Sequence, residues 1–200
     1  MAVRSKVFQG GRAPLTAVSL YYDRLIAFFD RIAEYNEIRP LNNALQSGKY
    51  MPPAVQDVYY NTFEGKIDKV KEAYDKADAD IETEWEKVIE SMKELGLAIR
   101  EQDIREFRSM ARATNEESQF RASMREHVAS LKRKCEKEIY WRKAYFDEMG
   151  KRATGESKSK KRLRKPKPLY VETPRKLLTW YEGRPERVKK RRAAIQKSKK

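Results

Sequence analysis

The side chains best suited to chemistry in this sequence are Lys and Arg, which concentrate in two clusters near the end of the chain. The first cluster is KSKKRLRKPK (158–167), and the second is RPERVKKRRAAIQKSKK (184–200). Each cation that neutralises a phosphate releases condensed counterions, so such clusters bind polyanions in a strongly salt-dependent way. The pattern predicts contacts to a nucleic-acid backbone, with little readout of base sequence.

The net charge of the chain comes from the same region. The 200 residues carry +15 in total, and residues 151–200 hold twenty Lys or Arg against four acidic residues. A charge localised in this way indicates a polyanionic partner, which is a nucleic acid, an anionic membrane or an acidic protein. The last cluster has too few large apolar residues for membrane insertion, so we expect none. A nuclear-localisation signal is an alternative interpretation of both clusters.

Three aromatic residues, Tyr170, Trp180 and Tyr181, lie between the clusters. Aromatic rings among basic residues can stack on unpaired bases. The segment 172–183 also has the pattern of a short helix that begins after Thr173 and ends at Gly183. We therefore predict that this helix docks onto a protein neighbour through Leu177, Leu178, Trp180 and Tyr181.

No motif for catalysis or metal binding is present in the sequence. His127 is the only histidine and Cys135 the only cysteine, so the pair supplies at most two of the four ligands of a structural zinc. Phosphate-loop, dinucleotide and zinc-protease motifs are missing. The dense acidic residues of 64–94 are best interpreted as a solvated helical face. We expect no enzyme, no metal, no cofactor and no small-molecule substrate.

The composition predicts that long helices position these groups. Charged residues make up 38% of the chain, while Gly and Pro number only eight each, which is typical of an all-α, coiled-coil-like protein. Residues 15–50 are predicted as an aromatic amphipathic helix that Pro40 closes, followed by a connector. The basic segment 1–14 precedes this helix. The first 22 residues contain three Arg or Lys and no acidic residue, which is compatible with a mitochondrial transit peptide or with an ordinary basic N-terminus.

The strongest periodic signal is a stripe of apolar residues from Phe63 to Ile99. Its members are Phe63, Ile67, Val70, Tyr74, Ala77, Ile81, Trp85, Val88, Met92, Leu95 and Ile99. This heptad spacing predicts a long helix, and the charged residues between its members mean that it needs a partner helix. The partner is another helix of this chain or a neighbouring protein. Gly65 and Gly96 mark bends.

A second apolar stripe predicts another long helix. Its members are Phe120, Met124, Val128, Leu131, Cys135, Ile139 and Phe146. Thr114 and Glu117 have the spacing of a capping box that would start this helix separately. The segment 51–149 is therefore predicted as an antiparallel hairpin, with one continuous rod as the alternative. Residues 150–200 are predicted as an extended basic tail with short helices.

Two stretches resemble the bacterial small-subunit ribosomal protein numbered twenty-one. LKRKCEKE (131–138) resembles its Lys-Arg-x-Cys-Glu-Lys segment, and YEGRPERVKKRRAA (181–194) resembles its Tyr-Glu-Lys-Pro segment and basic C-terminal helix. The two segments are close together in that family and far apart here. MPPAV (51–55), ahead of a long charged helix, is similar to an animal mitochondrial small-subunit ribosomal protein.

The resemblance implies rRNA contacts for Arg133, Lys134 and the residues from Arg187 to Arg192. Combined with the charge pattern, it leads us to expect a non-catalytic structural component of a ribonucleoprotein particle, most simply the mitochondrial small ribosomal subunit. The stripe from Phe63 to Ile99 would then contact neighbouring ribosomal proteins. The expected rRNA-binding residues are Arg133, Lys134, Lys158, Lys160, Lys161, Arg162, Arg164, Lys165, Lys167, Arg184, Arg187, Lys189, Lys190, Arg191 and Arg192.

Two alternatives follow from the same residues. The expected location is the mitochondrial matrix, and the nucleus or nucleolus is the alternative because of the basic clusters. The alternative function is a coiled-coil scaffold or assembly factor whose tail binds an acidic protein. A basic leucine zipper is disfavoured, because its basic region precedes the zipper, whereas here the basic clusters follow the heptads.

Overall fold

The computed structural model describes residues 7–8, 12–97, 100–112, 118–157, 163–166 and 169–197. Within these ranges the chain is all-α, as the composition predicts, and the long helices are confirmed. The helices are α1 (Arg12–Ser47), α2 (Pro53–Phe63), α3 (Ile67–Glu94), α4 (Glu101–Arg112), α5 (Ser118–Ala153), α6 (Pro174–Glu182) and α7 (Arg184–Lys197). Two short strands, β1 (Val7–Phe8) and β2 (Leu169–Tyr170), pair antiparallel.

Helix α1 is the centre of the fold. Tyr21, Tyr22, Leu25, Phe28 and Phe29 are each at most 2% exposed. These residues cover two adjacent sides of one helix, so α1 needs two neighbours rather than one. Helices α3 and α5 are those neighbours, and both pack along its length.

Helix α3 runs antiparallel to α1. Near the start of α1, the Arg24 guanidinium donates to the Glu90 carboxylate at 3.2 Å. Near its end, the hydroxyl groups of Tyr35 and Tyr74 are 2.6 Å apart. The aromatic face of α1 is thus the partner of the heptad stripe. Apart from Ile67, the described members of the stripe pack within the chain, which corrects the expectation that the stripe as a whole contacts neighbouring proteins.

Helix α5 is also antiparallel to α1. Lys132 lies 2.7 Å from Asp23, and the Cys135 thiol donates to the Leu15 carbonyl oxygen at 3.5 Å. Helix α1 begins at Arg12, close to this last contact, whereas α5 continues to Ala153. The last turns of α5 therefore extend beyond the start of α1 and do not pack against it. This explains why Phe146, a predicted member of the second stripe, is 60% exposed.

The heptad stripe is not carried by one helix. Helix α2 ends at Phe63, and the chain turns through Gly65, whose φ of +67° lies in the left-handed region. The predicted bend is therefore a full break, and Ile67 is 59% exposed at the start of α3. A second turn at Gly96 follows α3. Ile99, the last predicted member of the stripe, lies outside the described residues.

The prediction that Pro40 closes the first helix is wrong, because α1 continues to Ser47. A proline inside a helix costs about 3 kcal/mol. The residues after it offset this cost by packing, since Leu41 is 1% exposed and lies in a second apolar cluster with Tyr59, Phe63 and Val70.

Helix α4 completes the core. Phe107 is fully buried, and its ring centroid lies 5.9 Å from that of Phe29 and 6.2 Å from those of Trp85 and Phe120. Helices α4 and α5 are separate helices. The partner of α3 is nevertheless α1 and not α5, because α3 and α5 both run antiparallel to α1 and pack against it. The predicted capping box of Thr114 and Glu117 lies outside the described residues.

The chain returns to the core after β2. Val171, Leu177 and Leu178 have no solvent exposure. The backbone of Glu172 is bonded to two side chains of α1: its carbonyl oxygen accepts from the Tyr21 hydroxyl at 3.2 Å, and its N–H donates to the Tyr22 oxygen at 3.1 Å. Residues 171–182 therefore belong to the core, and the basic helix α7 follows them. None of the helices in the described ranges is apolar enough over a sufficient length to cross a membrane.

Candidate nucleic-acid interface

Helix α6 is the anchor from which the basic helix α7 starts. Its residues Leu177 and Leu178 are buried, and the Tyr181 ring meets Phe120 of α5 edge to face at 4.7 Å. The Trp180 ring stacks on His127 of α5, with centroids 3.7 Å apart and planes within 10°. All four residues predicted to dock onto a neighbouring protein thus contact this chain's own core. The other aromatic residue between the clusters, Tyr170, lies in β2.

Helix α7 is held to this anchor by Arg187. Its guanidinium lies 5.0 Å from the centroid of the Trp180 ring, a cation–π contact, and donates a hydrogen bond to the Trp180 carbonyl oxygen. Gly183 forms the joint between α6 and α7, and its backbone N–H donates to the Thr179 carbonyl oxygen. The predicted basic helix is therefore placed against a rigid part of the molecule.

Most of the α7 cations whose side chains are described are exposed to solvent. No ion pair engages these described side chains, from Arg184 to Arg192. These residues are Arg184, which is half-buried, and Arg187, Lys189, Lys190, Arg191 and Arg192. Their positive charge is available to an external anion.

Several cations elsewhere in the fold are paired with carboxylates of the same chain. Arg112 of α4 bonds to Asp78 and Glu82 of α3. The Asp30 carboxylate, bonded to the Arg125 guanidinium, raises the pKa of that group. Asp23, followed by Glu136, does the same for the pKa of Lys132. What distinguishes α7 is the density of its cations, since six of the nine residues from Arg184 to Arg192 are Lys or Arg.

The two basic residues of α5 that the ribosomal resemblance singled out are exposed. Arg133 and Lys134 lie seven residues beyond Glu126 and His127, so they continue the same face of α5. That face also meets α7. The structure thus brings the predicted residues of α5 and of the last cluster onto one side of the molecule.

The first basic cluster is only partly described. Lys158, Lys160, Lys161, Arg162 and Lys167 lie outside the described residues. Arg164 is paired with Glu138 at 2.9 Å and lies over the Trp141 ring at 5.6 Å, so its charge is largely used within the chain. Lys165 is exposed.

A cleft of about 470 Å³ separates α5 from α7. Arg184, Arg187 and Arg191 line it on one side, and Ser123, Glu126, His127 and Ser130 line it on the other. The α5 side of the cleft could not be predicted from the sequence. The regular spacing of these polar residues was visible, but only the tertiary fold shows that α7 lies opposite them.

The groups that could have carried other chemistry are occupied by the fold. His127 pairs with the Glu172 carboxylate at 3.0 Å. Burial raises the pKa of the Cys135 thiol to about 11, so this cysteine is a poor nucleophile. Among the residues that the structure describes, His, Cys, Asp and Glu form no group of three or more that could hold a metal ion.

Comparison with known proteins gives no match to a family model, to a curated protein or to a solved structure.

Proposed function

We propose that this protein is a non-catalytic structural component of a ribonucleoprotein particle and that it binds RNA through α7 and the adjoining basic residues. The observation that carries the proposal is the set of exposed α7 cations, which have no carboxylate partner among the described residues although the chain has thirty acidic residues. Unpaired surface cations contribute little to the stability of the free protein. They bind the phosphates of an RNA backbone strongly.

Ribosomal RNA of the mitochondrial small subunit is the RNA that we propose. The ribosomal resemblance of 131–138 and 181–194 supports it, since both segments contribute exposed cations to the same side of the molecule. The core then serves to hold α7 in a fixed position, because α6 is packed into that core. Phosphate contacts would dominate, with shape rather than base sequence guiding the fit.

A truncated chain tests the proposal without disturbing the fold. A chain ending at Gly183 removes α7 and keeps the buried residues Val171, Leu177 and Leu178. We expect the full chain to bind structured small-subunit rRNA with an affinity that falls by orders of magnitude between about 50 and 200 mM salt. The truncated chain should lose most of this affinity and keep its helical content by circular dichroism.

The matched control removes charge from another helix. Lys71 and Lys76 are exposed on α3, and their replacement by Ala should leave RNA affinity nearly unchanged. Undiminished RNA binding after the truncation, or no RNA binding by the full chain even at low salt, would show that α7 is not an RNA-binding element.

A protein scaffold is the second candidate, and the exposed end of α5 supports it. Tyr140 is 66% exposed, Phe146 60% and Met149 44%, and Phe146 and Met149 are three residues apart, so these two share one face of α5. Sedimentation of the native protein separates the candidates. Co-migration with ribosomal particles supports the RNA-binding component, whereas migration as a small free complex that contains an acidic protein supports the scaffold.

A further inference from the structure

We propose that the cleft between α5 and α7 binds a single nucleotide of the RNA, with its phosphate held by Arg184 and Arg191. This inference rests on the proposed function and names the place where one nucleotide contacts two helices at once. The cleft volume of about 470 Å³ lies within the range of about 300–1,000 Å³ that is typical of small-ligand sites.

The arginines of the cleft form a single row on α7. Arg184, Arg187 and Arg191 are spaced by three and four residues, so they project from one face of the helix towards α5. Arg187 is used by Trp180, as described above. Arg184 and Arg191 have no bonded partner among the described residues, so their guanidinium groups can bond to phosphate oxygens in the bidentate manner that Arg favours.

The opposite wall supplies groups that a nucleotide can use. Ser123 and Ser130 of α5 carry hydroxyl groups that donate or accept hydrogen bonds. Glu126 lies between them in sequence and also lines the cleft, and a carboxylate only accepts. A nucleotide offers acceptors on its phosphate and donors on its ribose and base. A nucleotide therefore matches the α5 wall of the cleft, which carries both donors and acceptors.

An acidic peptide matches this cleft less well. Its carboxylates would meet the arginines, but acidic side chains offer no donor for Glu126, whereas the ribose and base of a nucleotide do. The Lys and Arg residues on the outer side of α7 suit an extended acidic peptide as well as RNA. The cleft is therefore the feature that distinguishes the two polyanions.

The stacked rings of His127 and Trp180 fix the shape of the cleft. Their planes are 10° apart, and the His127 ring is also tied to Glu172 at 3.0 Å. Because one face of Trp180 is covered by His127 and its ring is also engaged by Arg187, we assign Trp180 the role of a wall rather than of a base-stacking platform. A preformed wall lowers the entropy cost of enclosing a ligand.

Two double variants with the same loss of charge test the inference. The first is Arg184→Ala with Arg191→Ala, which empties the phosphate position. The second is Lys189→Ala with Lys190→Ala, which lie on other sides of α7 and do not line the cleft. The full chain and both variants are titrated by calorimetry with a nucleoside 5′-monophosphate, with inorganic phosphate and with an acidic peptide.

The expected result is saturable binding of one nucleoside monophosphate per chain, stronger than that of inorganic phosphate. The arginine variant should bind it at least about tenfold more weakly, since charge-assisted bonds to phosphate are lost, and the lysine variant should bind it as the full chain does. Circular dichroism of each variant serves as the folding control.

Three outcomes would overturn the inference. They are no saturable nucleotide binding at millimolar concentration, equal weakening in the two variants, and tighter binding of the acidic peptide in the cleft. The failure of the inference is distinguishable from that of the proposed function. If the full chain binds rRNA but no mononucleotide, only the cleft site is wrong, and if it binds the mononucleotide but no rRNA, only the RNA-binding function is wrong.

Discussion

The hydroxyl groups of Tyr21 and Tyr22 lie in the core, and both are bonded to the backbone of Glu172. A buried polar group is tolerated when it has a hydrogen-bond partner. These two bonds therefore explain how an otherwise apolar face of α1 includes two phenols. They also connect the first helix to the segment that leads into α6.

Replacing Tyr22 by Phe should destabilise the protein. The change removes the acceptor of the Glu172 N–H and leaves that donor buried, at a cost of about 1–3 kcal/mol. Tyr140→Phe is the matched control, because Tyr140 is 66% exposed and should change the free energy of unfolding by less than about 0.5 kcal/mol. Urea denaturation measures both. Equal stability of the two variants would mean that the Glu172 N–H has another partner.

The same tyrosines should make the fold sensitive to alkali. Burial, the largest cause for both, raises the pKa of Tyr21 and of Tyr22 well above the usual value. In the unfolded chain the two tyrosine hydroxyls ionise at about pH 10, whereas in the folded state they stay neutral at that pH. The unfolded state therefore loses protons that the folded state retains. Their contribution to stability is fully present below about pH 10 and is lost as the pH rises further.

Denaturation at a series of pH values tests this expectation. The free energy of unfolding should fall by up to about 1.4 kcal/mol per pH unit for each buried tyrosine above pH 10. The double variant Tyr21→Phe with Tyr22→Phe should show a shallower fall. A variant with Phe at Tyr50 and Tyr60, which are 79% and 65% exposed, should keep the original slope. An unchanged slope in the first variant would contradict the argument.

At the scale of the elements, the turn between α2 and α3 depends on Gly65. Its φ of +67° is costly for any residue with a Cβ, and Tyr60 ring carbons would lie 3.4 Å from that atom. Gly65→Ala should therefore destabilise the protein by about 1–2 kcal/mol.

Gly150→Ala should instead stabilise the protein by about 0.5–1 kcal/mol. Gly150 lies inside α5 with open space around it, so an added methyl group meets no other atom.

Thermal and urea denaturation of the two glycine variants give a paired test. Because both variants add one methyl group, the difference in sign isolates backbone conformation from side-chain volume. Stabilisation by Gly65→Ala would show that the turn between α2 and α3 does not need the left-handed conformation.

Sequence periodicity predicted the buried faces of these elements but not their partners. Val70, Ile81, Trp85, Val88 and Met92 belong to the predicted stripe, and all are buried. An apolar stripe shows which side of a helix is buried, but it does not identify the helix that packs against that side. The aromatic face of α1 was predicted too. Its burial on two sides, which places it between α3 and α5, depends on tertiary packing.

The interface shows the same division. The exposed cations of α7 could be predicted from local charge alone. The cleft requires Ser130 and Arg191 to lie on opposite walls, although they are 61 positions apart in the sequence. Local sequence patterns do not predict that two such distant residues lie close in space. The docking role of Leu177 and Leu178 was predicted from their place in a short helix, while the identity of the docked surface, α4 and α5 of this chain, was not.

At the scale of the whole molecule, the charge is divided between helices. Exposed acidic residues such as Asp68, Glu72 and Asp75 occupy α3, and a dense run of exposed cations occupies α7. Such a division orients the molecule on a polyanion, because α3 is repelled while α7 is attracted. The proposed RNA complex is therefore expected to have one defined face towards RNA.

Lysine acetylation in the presence of rRNA tests this orientation. Lys189 and Lys190 on α7 should be protected several-fold, whereas Lys71 and Lys76 on α3 should react as in the free protein. All four lysines are exposed, so their rates in free protein serve as the reference. Equal protection on both helices would contradict an oriented complex.

The hydrogen bonds between Glu172 and the two tyrosines of α1 have a consequence for biosynthesis. The bonded residues are 150 and 151 positions apart in the sequence. At about 5–20 residues per second, α1 emerges on the order of ten seconds before the segment that completes its hydrogen bonds. The nascent chain therefore carries an incomplete aromatic core through most of its own translation, and the basic helix emerges only after the residues that close that core.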